Sequence, residues 1–260
     1  MCRLFFSFRN KSVKPLLEEF LAQSTHKTKN TPHLDNYRDL ITRTDGFGIA
    51  WKRDEKDCDA DMTHNVVSNE LETSIWKIYK QPKVYSKDPN LDAVLDTIPN
   101  SLVIAHIRKK PDGKKSSMKN THPFHYNGQI FAQNGVIDEF EKHIPLLKSY
   151  IYRPLLREIQ GETDTEFLFF LFLSCKKYLE QRKGKPRLYS DKNTTRKSSS
   201  KKPEFSKSQI KLYENIISRI KIQSIETSNY IYINAFTLLT GIFIEHSIEL
   251  VANVVYANSN

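Results

Sequence analysis

Glycine is scarce: only 8 of the 260 residues, about 3% where soluble domains average about 7%. That excludes collagen-like repeats and glycine-rich linkers. It also makes each glycine informative, because only glycine enters positive φ without a steric penalty. Cysteine is scarce too. Cys2, Cys58 and Cys175 are odd in number, far apart and contain no C-x-x-C pair, which excludes a disulfide framework and a structural zinc site. Cys58 and Cys175 are expected to be ordinary thiols, Cys175 buried on an apolar run. Met1 to Asn10 has no apolar stretch followed by a small-residue exit site, as a cleaved leader would. The longest unbroken apolar run, Phe167 to Leu173, is too short to span a bilayer. Together these absences point to the cytosol, with no membrane partner.

What is present is a chain that can bury a core, at 38% hydrophobic and 11% aromatic residues, which excludes wholesale disorder. The length suits one large domain or two small ones. The formal charge of +10 arises from 40 Lys+Arg against 30 Asp+Glu and would ordinarily suggest an acidic partner. Its location changes that reading. Lys176 to Ser208 holds 12 basic and 3 acidic residues, a net of +9, and leaves +1 for the remainder. Such a run is usually a solvated segment. No RNP, zinc-finger or helix-turn-helix pattern accompanies it, so nucleic-acid binding is not expected.

Along the chain, RLFFSF (Arg3 to Phe8), FGIAWK (Phe47 to Lys52), SLVIAHI (Ser101 to Ile107) and QIFA (Gln129 to Ala132) read as strands. The last is expected to end at Asn134-Gly135. Helices are expected over Pro15 to Leu21, Leu91 to Ile98, Thr163 to Leu179 and Gln209 to Arg219. Thr163 can cap the third, with Glu166 three residues on as in a capping box. Asn30 to Thr44, Lys52 to Asp61 and Lys109 to Lys119 are expected to be loops, and Gln181 to Ser208 a long flexible basic insertion. From Asn229 onward, NYIYINAF, GIFIEHS and ELVANVVYA read as three strands, the first two turning at Thr240-Gly241.

Four features carry possible chemistry. Removal of Met1 would leave Cys2 with a free α-amine. A thiol of pKa about 8.5 beside an amine of about 7.7–8.0 suits proton exchange near neutrality, so one residue would supply nucleophile and base; the bland alternative is a cysteine at position 2 by accident. Arg108, at the end of the SLVIAHI strand, can clamp a carboxylate through its planar fork or be a surface arginine beside Lys109 and Lys110. Asn134-Gly135 is either a hairpin turn or a pair of donors, side-chain amide and backbone N–H, for an oxyanion. Asp164 can bind an ammonium or simply place negative charge at a helix start.

The ordered set Met1-Cys2-Arg3, DGFGIAW (Asp45 to Trp51), AHIR (Ala105 to Arg108), NTHPF (Asn120 to Phe124), Asn134-Gly135 and G-x-T-D-x-E (Gly161 to Glu166) resembles the class II glutamine amidotransferases of the N-terminal nucleophile hydrolase superfamily. Trp76 to Arg108 resembles the stand-alone branch, which contains gamma-glutamyl amidohydrolases and fungal glutathione-degradation subunits. The resemblance covers Met1 to Leu173 and resumes near Asn229 to Ile244, where Asn234 is expected on a strand. It implies an α+β fold, a four-layer αββα sandwich of two antiparallel sheets, as a single domain over residues 1–260. It further implies Cys2 as nucleophile, Asn134 and Gly135 as the oxyanion hole, Arg108 on the substrate α-carboxylate and Asp164 on its α-ammonium. The substrate would be glutamine or a γ-glutamyl compound, with no metal and no cofactor. A separate partner subunit and a homo-oligomer both stay open. So does a catalytically inactive relative that docks an acidic partner through the basic segment. Two departures stand out: Gln133 where the family has His, and Lys109-Lys110-Pro111 where it has a small residue and then Ser or Thr.

Overall fold

The computed structural model describes residues 2–8, 12–25, 43–53, 75–110, 116–183, 204–220 and 230–258. Most of the expected loops over Asn30 to Thr44 and Lys52 to Asp61, the Cys58 thiol, and most of the expected insertion lie outside these residues. Within the span expected as one domain, two compact units are distinguished. One comprises Met1–Gly135 with Ala252–Asn260, the other Val136–Val251. The class is α+β, with two antiparallel sheets and helices.

The first unit is built on a four-stranded sheet ordered β1-β4-β2-β3. Its strands are β1 (Arg3–Phe8), β2 (Phe47–Lys52), β3 (Trp76–Gln81) and β4 (Leu102–Ile107). β4 pairs antiparallel with both β1 and β2, and its nearly all-apolar sequence suits that central place. Period-two alternation sorts the side chains. Val103, Ala105 and Ile107 of β4 and Phe47, Ile49 and Trp51 of β2 face helices α1 (Lys14–Ala22) and α2 (Leu91–Asp96), which contribute Leu17, Phe20, Leu21, Leu91 and Leu95. Pro15 lies in the first turn of α1, where its missing N–H leaves no bond unmade.

Alternate residues point the other way. Ala50 and Ile104, with Trp76, pack on Ile130 and Ala132 of β6 (Gln129–Ile137). This face is the seam between the two sheets, so the first unit stacks helices, sheet and sheet. β5 (Phe124–Tyr126) and β6 form a hairpin closed by Asn127-Gly128, both at positive φ (44° and 72°), as a type I′ turn requires. β7 (Leu250–Ala257) completes the second sheet in the order β5-β6-β7.

The second unit is helical around α5 (Asp164–Lys183). Every residue from Phe167 to Leu173 is buried, which makes this stretch of the helix apolar all round, as a central segment must be. The expected Thr163 cap is present: its hydroxyl accepts from Glu166 N at 3.2 Å, while the Glu166 carboxylate accepts from the N–H groups of Gln160 and Gly161. The short helices α3 (Phe140–Tyr150) and α4 (Arg153–Leu156) precede α5, and α6 (Lys207–Ile217) follows it. Tyr213 of α6 is stacked on Tyr178 and bonds the Tyr150 carbonyl at 2.7 Å. The basic segment is helical at both edges, since α5 runs through Lys183 and α6 starts at Lys207.

Three expectations need correction. NYIYINAF and GIFIEHS are not strands. Residues Tyr230–Glu245 form one helix, α7, and only the third segment is a strand, β7. Aromatic and β-branched content suggested strands, but Ile231, Asn234, Ala235, Leu238, Leu239, Ile242 and Phe243 are buried at helical spacing, and burial against α5 overrides propensity. Phe236 of α7 stacks on Phe172 of α5 at 4.2 Å between ring centroids. Asn234 is therefore on a helix, and Thr240-Gly241 is not a turn. β6 does not end at Asn134-Gly135 but continues to Ile137; the hairpin Asn-Gly is Asn127-Gly128. Strands β3 and β5 and helices α3 and α4 were not foreseen.

Candidate active site

Cys2 precedes the first paired residue of β1, since Arg3 is opposite Ile107. One step further along, Lys109 N donates to Cys2 Sγ at 3.3 Å, and Sγ also lies 3.5 Å from the Lys109 carbonyl. The thiol can donate to that carbonyl, and the thiolate can accept from that N–H. Arg108 N donates to the Gly46 carbonyl at 2.8 Å, and Lys110 N to Asp45 Oδ2 at 3.1 Å. The Asp45-Gly46 bend, with Gly46 at φ 145°, is thus tied to the segment that carries Arg108. Cys2 is half-buried and Arg108 is buried.

Arg43 was not singled out by its sequence, yet it is 1% exposed. Burial and the neighbouring charge of Arg3 push its guanidinium down from the usual arginine value, and Cys2 acts in the opposite direction. Arg43 therefore belongs to the electrostatic surroundings of Cys2. Nothing in its polar flanks marks it; only the tertiary placement does.

His106 and His122 were noted only as members of motifs, but they are buried near Arg108. Their rings lie 3.9 Å apart between centroids. Gly48, opposite His106 in the β2–β4 register, makes this possible. A Cβ there would stand 2.0 Å from the His122 carbonyl oxygen, so only glycine lets the NTHPF segment lie so close to β2. Burial holds the His106 imidazole down to about 3; the main chain of Gln133 opposes this and Arg108 adds to it. Burial also pushes His122 well down, reinforced by His106, Arg108 and Lys80. The Gln133 main chain acts on both rings, so Asn134 follows directly after a residue set against them.

Cys2 and Arg108 thus sit at one end of the four-stranded sheet, while Asn134 and Gly135 lie on β6 directly after Gln133, whose main chain meets both rings. Asn134 is half-buried and Gly135 exposed. Asp164 belongs to the second unit, at the first turn of α5. Its Oδ2 accepts from Ile137 N at 3.0 Å and its Oδ1 from Thr165 N at 2.8 Å. Burial raises its carboxyl above the ordinary aspartate value, against the pull of those hydrogen bonds. Among the described residues, no group of three or more His, Cys, Asp or Glu is placed to hold a metal ion, and no helix is long and apolar enough to cross a membrane.

Residues 36–196, more than half of the chain, match the family described as class-II glutamine amidotransferases. The chain belongs to that family. Over 179 residues it is 30% identical to the Saccharomyces cerevisiae protein named "Probable glutamine amidotransferase DUG3", covering 66% of this chain and 45% of that one. The chain therefore spans less than half the length of this curated relative. It is also similar to a solved glutamine aminotransferase class-II domain protein from Silicibacter pomeroyi, at 26% identity, 50% and 47% coverage and a TM-score of 0.35. For a class-II amidotransferase, the two sequence departures now have positions. Lys109 contributes main-chain groups to Cys2, and Gln133 is buried on β6.

Proposed function

We propose that this chain is a thiol-dependent amidohydrolase acting on the γ-carboxamide of glutamine or of a γ-glutamyl compound. The observation that carries this reading is the placement of Cys2 Sγ on Lys109 N, one residue from buried Arg108, in a chain of the class-II glutamine amidotransferase family. Met1 is removed, and the Cys2 α-amine takes up the thiol proton. Sγ attacks the γ-carbonyl, and the oxyanion is held by the Asn134 side-chain amide and Gly135 N–H. Collapse breaks the C–N bond; ammonia or an amine leaves with the proton returned by the α-amine, and a γ-glutamyl thioester remains. Water then attacks the thioester, freeing glutamate and restoring the thiol. Arg108 binds the substrate α-carboxylate through its planar fork. Asp164 binds the α-ammonium, a role that suits a carboxylate but requires it to be ionised.

Two measurements test this. Intact mass of the purified protein should show loss of Met1, and retention would block the base and end the proposal. Cys2→Ala should abolish glutamate release from glutamine, glutathione and a γ-glutamyl anilide. Activity that survives the substitution would mean another nucleophile.

A further inference from the structure

Helix α7 carries a second apolar face, on the side away from its buried residues. Ala235, Leu238, Leu239 and Ile242 are buried, but Ile233 is 53% exposed and Ile244 72%. Between these two, Thr240 is exposed and Thr237 half-buried. The four residues 233, 237, 240 and 244 stand at i, i+4, i+7 and i+11, so they form one stripe along the helix. A surface helix ordinarily places charge on its outer side. Here Tyr230 to Ile244 contains no charged residue. The threonines do not call for water either. Thr237 Oγ1 donates to the Ile233 carbonyl and Thr240 Oγ1 to the Phe236 carbonyl, both at 2.9 Å. The charges nearest the helix are neutralised within the chain. Lys176, over the Tyr232 ring at 5.3 Å, pairs with Glu180 at 3.1 Å, and Glu245 pairs with Arg219.

We propose that this stripe is a dimerisation face, which takes the same stripe of a second copy of this chain with the two helices antiparallel about a twofold axis. The order of the stripe selects that occupant. A twofold interface needs a surface that is its own complement. Ile-Thr-Thr-Ile at i, i+4, i+7 and i+11 reads the same from either end. Turned antiparallel, Ile233 meets the partner's Ile244 and Thr237 meets the partner's Thr240, and symmetry repeats both layers. The small central threonines let the helix axes come within the usual 8–10 Å or so. No layer sets two charges together, so nothing electrostatic opposes the pairing. The area sets its strength. A helix of 16 residues is about 24 Å long. Two such faces bury roughly 1,000 Å² in total, below the range of about 1,200–2,000 Å² for stable complexes. The dimer is therefore weak and concentration-dependent, with a Kd on the order of 10 µM.

Sedimentation velocity on the full chain, from about 1 to about 200 µM to bracket that Kd, should show a monomer–dimer equilibrium. Ile233→Lys and Ile244→Glu each place an unpaired charge in both outer layers of a homodimer. Each variant alone should dimerise at least about 100-fold more weakly, since the twofold axis counts every change twice. Mixed in equal amounts, the two variants should associate again. One outer layer then sets the two introduced charges together, and the other keeps Ile233 on the partner's Ile244. A parallel pairing gives no such rescue. Both positions are exposed, so the melting temperatures should stay close to wild type. If either charged variant melts below the assay temperature, Ile244→Thr serves in its place and should weaken the dimer by about tenfold. A wild-type chain that stays monomeric throughout overturns the proposal. So do variants that dimerise as wild type does, and so does a mixture that fails to associate. A monomeric wild-type chain that co-sediments with phosphatidylcholine vesicles overturns it too, and assigns the stripe to a lipid surface.

Discussion

Replacing Gly48 with alanine tests whether the NTHPF segment lies directly on β2. The added Cβ would stand 2.0 Å from the His122 carbonyl oxygen, 3.0 Å from its carbonyl carbon and 3.0 Å from Lys80 Cγ. Ordinary contact between such atoms needs roughly 3.5 Å, so the His122 main chain must retreat by about 1 Å or more. A main chain cannot rotate out of the way as the end of a lysine can. Over-packing of this kind costs about 1–3 kcal/mol, and the contact with backbone points to the upper end. Alanine loses less backbone entropy than glycine on folding, which offsets up to about 1 kcal/mol. The expected net loss is about 2 kcal/mol, or about 4–8 °C in Tm for a domain of 150–250 residues. Circular dichroism melts of wild type and Gly48→Ala measure it, and the retreat of His122 should also lower kcat. A Tm within about 1 °C of wild type, with full activity, would refute the reasoning. Phe8→Ser is the control: Phe8 is 80% exposed, and the substitution should move Tm little.

Asn134→Ala should lower kcat for glutamine hydrolysis by about 10²–10³-fold, the usual effect of losing one oxyanion donor, measured as glutamate release at saturating substrate. Arg108→Lys keeps the charge but not the planar fork, so KM for glutamine should rise several-fold more than kcat falls. Acid should destabilise the protein through its buried imidazoles. The folded pKa of His106 is depressed to about 3, so below about 6.5 the unfolded chain binds a proton that the folded chain refuses. Stability should fall between pH 6.5 and 3 by up to about 1.4 kcal/mol per pH unit for each such imidazole. Urea titrations at several pH values check this, and His106→Phe should flatten the slope. Gly241→Ala should not give the usual gain of about 1 kcal/mol for alanine inside a helix, because its Cβ would lie 2.7 Å from Ile216 Cγ2; a stabilised protein would contradict that packing.

The elements legible in the sequence are those whose local pattern and tertiary role agree. FGIAWK and LVIAHI form strands in place, and Pro15 and the Thr163 cap mark true helix starts. The reading failed where local preference and burial disagree. Tyr230 to Glu245 has the composition of strands, but its buried residues follow a helical period against α5. Asn134-Gly135 has the dipeptide of a hairpin, yet Asn127-Gly128 makes the turn, because only there do both residues take positive φ. β3 was missed because Lys77, Tyr79 and Gln81 alternate with Trp76, Ile78 and Lys80, a pattern too polar to stand out.

Motif order alone determined the family and the five candidate residues Cys2, Arg108, Asn134, Gly135 and Asp164, because the spacing of chemically distinct residues is a property of the chain. Of the 8 glycines, Gly46, Gly48, Gly135 and Gly161 lie inside those motifs. Only the tertiary structure decided that Lys109, an apparent departure, presents its main chain to the thiol. It alone brought buried Arg43 into the surroundings of Cys2, and it alone set the His106 ring against that of His122. These facts depend on which residues face one another across strands and seams. That pairing is set by global burial, which no local window of sequence contains.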